Sequence, residues 1–173
     1  MKIVKKYVLP LLVVLGILGI DQLSKFMAIQ NLPYRQEVVV LDGIFSLFRL
    51  NNTGMAFGLL EGQRWLLAVM TVVILGFLAF FYTVLPQNKV GKAYRFTILM
   101  LAGGALGNLV DRLFRETGVV DFFMITAFDG FFPWVFNVAD VFVVVPVIVM
   151  AVLTFFLKEE DMKKMKWKRK KDV

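Results

Sequence analysis

Phe136-Asn137-Val138-Ala139-Asp140 stands directly before an uncharged run at 141–157. A carboxylate at the edge of hydrocarbon is costly unless it is paired, hydrated or protonated, so Asp140 needs a chemical reason to be there. Together with the residues just ahead of it, the run makes a span at 135–157, long enough for a bilayer that takes about 20 residues to cross. Working outward, three more such runs follow from the sequence, at 7–29, 65–85 and 96–114. Composition agrees: 59% hydrophobic and 19% charged over 173 residues is a membrane composition with room for one integral domain, 1–173. The fold class is therefore a mainly α membrane protein with four transmembrane helices.

The first run follows Lys2, Lys5 and Lys6, as in a cleavable signal peptide. No small-x-small site follows it and apolar residues resume at Phe26, so it reads as a retained span ended by Asn31-Leu32-Pro33. The segment 30–64 is too polar to cross. Its apolar stretch 37–41, the pair Asp42-Gly43 and the stretch 44–50 read as strand, tight turn and strand, a small antiparallel sheet lying on the membrane. Phe45, Leu47, Phe48 and Phe57 would face headgroups or line a cleft. A second outer segment, 115–134, reads as a loop or helix, and 158–173 as a tail dense in lysine.

The net charge of +7 is a topology signal and not a nucleic-acid signature. Fourteen of the 20 basic residues fall in the two termini and the 87–95 loop. The positive-inside rule then puts both termini in the cytoplasm, with Asp21, Lys25, Asp111, Arg112, Asp121 and Asp140 towards the opposite face. The tail lysines, from Lys163 to Lys171, suit anionic lipid and fix orientation.

The chain has no cysteine and no histidine, which excludes disulfides, thiolate or imidazole metal sites, a cysteine nucleophile and a Ser-His-Asp triad. Carboxylate, hydroxyl or lysine chemistry remains. Asp21 and Lys25 lie four apart on one helix face and can pair, either as an interfacial anchor or as a brace for a site or a lipid headgroup. Asn52-Thr53-Gly54 is rich in turn formers, and an amide such as Asn52 offers a donor and an acceptor to a substrate backbone. Gly103 and Gly107 form a small-xxx-small ridge for close helix approach. Asn108, Asp111 and Arg112 follow at spacings that point one way. An Asp111–Arg112 pair is a structural option, and Asn108 and Arg112 are better placed to steer substrate. Asp121 and Asp140 are the two acids left. Close together, they would share one proton and act as base and acid. The residues alone leave that dyad open beside a small proton or cation translocator using embedded acids. A serine–lysine peptidase fits poorly, because Ser24 and Lys25 point around the helix from each other.

Five ordered blocks carry a resemblance over nearly the whole chain: Asp21-Gln22 with Ser24-Lys25; Asn52-Thr53-Gly54 with Ala56-Phe57; Gly103-Gly104-Ala105 with Gly107-Asn108 and Asp111-Arg112; Val120-Asp121-Phe122; and Phe136-Asn137 with Ala139-Asp140. In these the chain resembles lipoprotein signal peptidase, the signal peptidase II family of bacterial inner or cytoplasmic membranes. The resemblance implies an aspartic endopeptidase with no metal and no cofactor. It would remove the signal peptide from prolipoproteins just before a diacylglyceryl-modified cysteine at the outer interface. It implies Asp121 and Asp140 as the dyad, with Asp21, Lys25, Asn52, Gly54, Asn108, Arg112 and Asn137 binding substrate or supporting the acids, and Asp111 structural. Prolipoprotein and membrane lipids are the implied partners and nucleic acid is not one; the oligomeric state stays open, a monomer being one option. The antibiotic globomycin would occupy the same cleft. The aromatic stretch 122–136, flanked by Gly118 and containing Gly130, would close over the site.

Overall fold

A computed structural model describes residues 7–55, 59–127 and 134–156. Phe57, Asp129, Gly130, the amino-terminal lysines and the lysine tail lie outside the described residues.

Four helices are long and apolar enough to cross a membrane: α1 (Leu9–Asn31), α2 (Arg64–Val84), α3 (Lys89–Phe114) and α4 (Val138–Phe156). Prolines set several of their ends. Pro10 enters α1 where a missing N–H costs nothing, and Pro33 forces Leu32 out of the helical region to φ −105°, ψ 133°. Pro86 does the same to Leu85 after α2. α3 starts well before the expected 96, because the Asn88 side chain accepts from the Gly91 N–H at 2.8 Å and caps it. Arg95, read as a loop charge, is on this helix and donates to the Tyr82 and Leu85 carbonyls, closing the end of α2.

α3 is the hub and packs against all three other helices. Its glycines permit this in two directions. A β-carbon on Gly103 would lie 2.8 Å from Ile17, and one on Gly107 2.5 Å from the Asp21 carboxylate, so both back onto α1. Gly104 faces α4, where a β-carbon would meet the Ala139 carbonyl at 2.5 Å. The helices' outer faces stay apolar and exposed; on α2, Trp65, Val69 and Phe77 are each about 60% accessible. That is the surface a lipid-facing helix presents.

Beyond α1 and α3, and before α2 and α4, the chain builds one antiparallel sheet in the order β1 (Glu37–Leu41), β2 (Phe45–Asn52), β3 (Val119–Ile125), β4 (Trp134–Phe136). Connectivity puts it at one end of the bundle. The Asp42-Gly43 turn forms as read, with Gly43 at φ +66°. The sheet is larger than the two strands expected, since the second outer segment adds β3 and β4, and Trp134–Phe136 therefore precedes α4 as strand. Phe122 and Phe123 accordingly sit in an interior strand and not in a flap. β3 seats on the end of α1 through Ala28, Val120 and Phe122, with Ile29, Leu32 and Val138 around them. Phe45 stacks against Phe123 at 5.8 Å. Between Leu47 and Leu50 the pairing of β2 with β3 slips by one residue, a bulge opposite Phe122 that sets Leu50 across from Asp121. Bulges of this kind re-aim neighbouring side chains.

Candidate active site

Asp121 on β3 and Asp140 in the first turn of α4 line one cleft of about 150 Å³, with Asn52, Gly54, Asn108 and Arg112 among its walls. Asp140 gets there through the way α4 begins. Asn137 precedes the helix; its Oδ1 accepts the Asp140 N–H at 3.0 Å, and Asp140 Oδ2 accepts the Asn137 N–H at 3.0 Å. This reciprocal pair is a capping box, which satisfies two helix N–H groups that would otherwise be orphaned. The Asn137 amide then donates to Asp121 Oδ1 at 2.6 Å and to Asn108 Oδ1 at 3.1 Å. One buried asparagine thus donates to both carboxylates. Asn52 gives Asp121 its second donor at 3.0 Å, and Asn108 gives Asp140 its second at 2.8 Å. The Asn52 Oδ1 in turn accepts the Gly54 N–H at 2.9 Å.

Burial, and then the nearby Asp140 carboxylate, push Asp121 from the ordinary 3.8 up to about 7, against the hydrogen bonds from Asn52 and Asn137 and the charge of Lys25. Near neutral pH this carboxyl is divided between its two states, which is what work as both acid and base needs.

Behind the acids lies a fully buried ionic layer. Lys25 Nζ is 2.9 Å from Asp21, 3.0 Å from Asp111 and 3.0 Å from Asn108 Oδ1. The Asp21–Lys25 pair read from spacing therefore forms, but it is inaccessible to a headgroup and does not reach for the interface. Asp21 also accepts the Ala139 N–H of α4 at 2.8 Å, while Asp111 accepts the Val120 N–H of β3 at 3.2 Å. The Asp111–Arg112 pair does not form: Asp111 takes Lys25 and Arg115, the latter at 3.0 Å. Arg112 turns the other way and donates to the Gly54 carbonyl at 3.3 Å. Adjacent residues on a helix point about 100° apart, so a common direction for Asp111 and Arg112 was too generous a reading.

Some participants escape the sequence. Gln22 Nε2 lies 3.1 Å from Asp21, Asp111 and the Gly107 carbonyl, and no spacing rule singles it out. Arg64 donates to the Arg112 and Leu113 carbonyls at the end of α3. The capping box was readable, as Asn137-x-x-Asp140 ahead of an apolar run. Among the described residues no His, Cys, Asp and Glu cluster is suited to a metal.

The family model for signal peptidase (SPase) II matches residues 13–156. The chain belongs to the signal peptidase II family. It is therefore a peptidase, and with its four apolar helices a bacterial multi-pass membrane protein. The lipoprotein signal peptidase of Clostridioides difficile (strain 630) is 33% identical over 153 residues, covering 88% of this chain and 99% of that one. That of Shouchella clausii (strain KSM-K16) is 36% identical over 129 residues, 75% of this chain and 81% of that one. Two solved structures of a bacterial membrane enzyme share the fold, with TM-scores of 0.75 and 0.73 at 24% identity. They cover 97% and 88% of this chain, and 96% of each of theirs.

Proposed function

We propose that this signal peptidase II family member is an aspartic endopeptidase acting on prolipoproteins whose cysteine carries diacylglycerol, and that it cuts just before that cysteine with Asp121 and Asp140. The observation that carries the reading is Asn137, which donates to both carboxylates inside one cleft. Asp121, raised to about 7, is the carboxyl disposed to hold a proton near neutral pH.

In the cleavage step the ionised carboxylate takes a proton from a water held between the pair, and the protonated carboxyl donates to the scissile carbonyl oxygen. The water oxygen bonds to the carbonyl carbon. Collapse of the tetrahedral intermediate breaks the C–N bond, and a proton passes to the leaving amine. The other side chains act through these two. Asn52 and Asn108 orient one carboxyl each, Gly54 and Arg112 form the wall beside them, and Lys25 with Asp21 and Asp111 fixes the layer beneath.

The setting suits this substrate. Behind Asp140, α4 continues uncharged for 16 residues, about 24 Å of helix at 1.5 Å each, so the acids lie near one membrane surface. The basic residues of the two termini and the 87–95 loop, by the positive-inside rule, favour both termini in the cytoplasm and the dyad on the outward face of the bacterial cytoplasmic membrane. A proton or cation path would need polar groups through the full depth, and α2 carries none beyond Arg64 at its first turn except two threonines and Tyr82. One copy of the chain holds every group the step needs.

The test is cleavage of a diacylglyceryl-modified prolipoprotein by purified protein, with Asp121→Asn and Asp140→Asn alongside. Each substitution is expected to cut turnover by about 10²–10⁴-fold, the usual cost of removing a group that moves a proton in the reaction. Turnover close to wild type in either variant rules the dyad out.

A further inference from the structure

The dyad cleft adjoins two further cavities. On one side it shares Trp134, Asp140 and Val144 with a cavity of about 170 Å³ whose other walls, Ile125, Phe136, Val141 and Val145, are apolar. On the other it shares Asn52 and Arg112 with a cavity of about 240 Å³ that also takes in Arg64, Trp65 and Glu116. The adjoining spaces thus run from an apolar one, past the cleft of the two acids, to one lined by two guanidinium groups and a carboxylate.

The charges of that last cavity are fixed without a direct ion pair among the described residues, although Arg112 feels the Asp140, Asp121 and Asp111 charges beside it. Arg64 is held by the Arg112 and Leu113 carbonyls and Arg112 by the Gly54 and Asn108 carbonyls, so backbone dipoles orient both cations without removing their charge. None of the ion pairs among the described residues involves Arg64, Arg112 or Glu116. Glu116 is exposed at the rim. The cavity walls come from the end of β2, the start of α2 and the chain between α3 and β3, which all lie at the sheet end of the bundle.

We propose that this charged cavity is the subsite for the first residues of the mature lipoprotein, on the far side of the scissile bond, and that Arg64, Arg112 and Glu116 make it select those residues by charge. The proposal rests on the dyad reading above. A prolipoprotein has the same polarity order: apolar signal helix and acyl chains up to the cut, then a chain heading into water. Laid across Asp121 and Asp140, only one direction matches apolar with apolar. Arg112 also feels the Asp140, Asp121 and Asp111 charges, so Arg64 is the cation that chiefly opposes the exposed Glu116 and adds to Arg112 in favouring an anionic side chain there over a cationic one. Glu116 sets how strongly.

The experiment uses the full chain and three diacylglyceryl-modified prolipoproteins that differ only at the second and third mature residues, which are Asp, Asn or Lys. Wild-type kcat/KM is expected to fall about threefold from Asp to Asn and about threefold again from Asn to Lys, the size of partly exposed charge pairs. Glu116→Lys is expected to widen the Asp-to-Lys ratio by about another tenfold by reversing one charge at the rim. Thermal unfolding of the variant in detergent at the wild-type midpoint shows that it is folded. Ratios near one in wild type, or ratios untouched by Glu116→Lys, overturn the subsite while leaving the dyad standing. Failure of wild type to cut any substrate, or cleavage by Asp121→Asn, overturns the dyad reading and this proposal together.

Discussion

Asn137→Ala removes two functions at once, and their separate sizes follow from the contacts. Loss of the side-chain acceptor for the Asp140 N–H removes a helix cap, about 0.5–2 kcal/mol. Loss of the amide donor to Asp121 removes a hydrogen bond to a carboxylate at 2.6 Å in a fully buried setting, about 1.5–3 kcal/mol. Together they predict destabilisation of about 2–5 kcal/mol, read as earlier thermal unfolding in detergent. The second loss also has a direction in pH. The amide stabilises the ionised form of Asp121, so without it the carboxyl rises further above about 7. A mechanism needing one proton on the pair then keeps working to higher pH, and the alkaline limb of kcat/KM against pH moves up. Asn137→Ser separates the two effects, because a hydroxyl can still accept from the Asp140 N–H but cannot reach Asp121 as the amide does. Serine should recover much of the stability and keep the displaced limb. A pH profile for Asn137→Ala superimposable on wild type, or one that serine restores along with stability, refutes the view that this amide tunes the dyad.

Further outcomes follow from the same layer. Folded Asp121 holds its proton more tightly than an unfolded aspartate, so between about pH 4 and 7 the folded chain binds the extra proton and stability declines as pH rises, by on the order of 4 kcal/mol in all. Asp121→Asn should flatten that decline in urea or thermal unfolding run across the window; an unchanged slope assigns the protonation elsewhere. Lys25→Met leaves the buried Asp21 without its cation and Asp111 with Arg115 alone, and should cost about 3–5 kcal/mol; unfolding close to wild type would contradict the buried triad. Gly107→Ala forces a methyl to within 2.5 Å of Asp21 and 3.1 Å of Ala139, so α1 or α4 must back away. Loss of activity with early unfolding is expected, whereas an active and stable alanine variant would show the helices farther apart than described.

What the sequence made legible is what depends on one segment at a time. Length and apolarity marked the four spans, Asp42-Gly43 the hairpin turn, and Gly103 with Gly107 the close face of α3. The acids at the ends of apolar runs stood out because their burial is costly. What stayed hidden depends on pairing between distant segments. β3 is rich in Val and Phe, like the spans around it, and only its register with Asn52 and Leu50 makes Asp121 a strand residue. Asp111 faces Lys25 because α1 crosses α3 at Gly103 and Gly107, a contact no local spacing encodes, whereas its pair with Arg115 is an i,i+4 contact open to reading. Gln22 is a polar residue beside a charge until that crossing surrounds it with three acceptors.

The sheet and the helical bundle each bring one of the two carboxylates to the cleft: Asp121 rides on β3 and Asp140 on α4. Whatever bonds to both acids at once fastens those two bodies together. Occupancy of the cleft by a tight inhibitor should therefore register as mechanical reinforcement, raising the melting temperature with ligand concentration and slowing amide exchange in β3 as well as in the first turn of α4. A compound that engages only one acid would leave the other body's exchange unchanged, so a stability measurement can distinguish the two modes of inhibition without any substrate present.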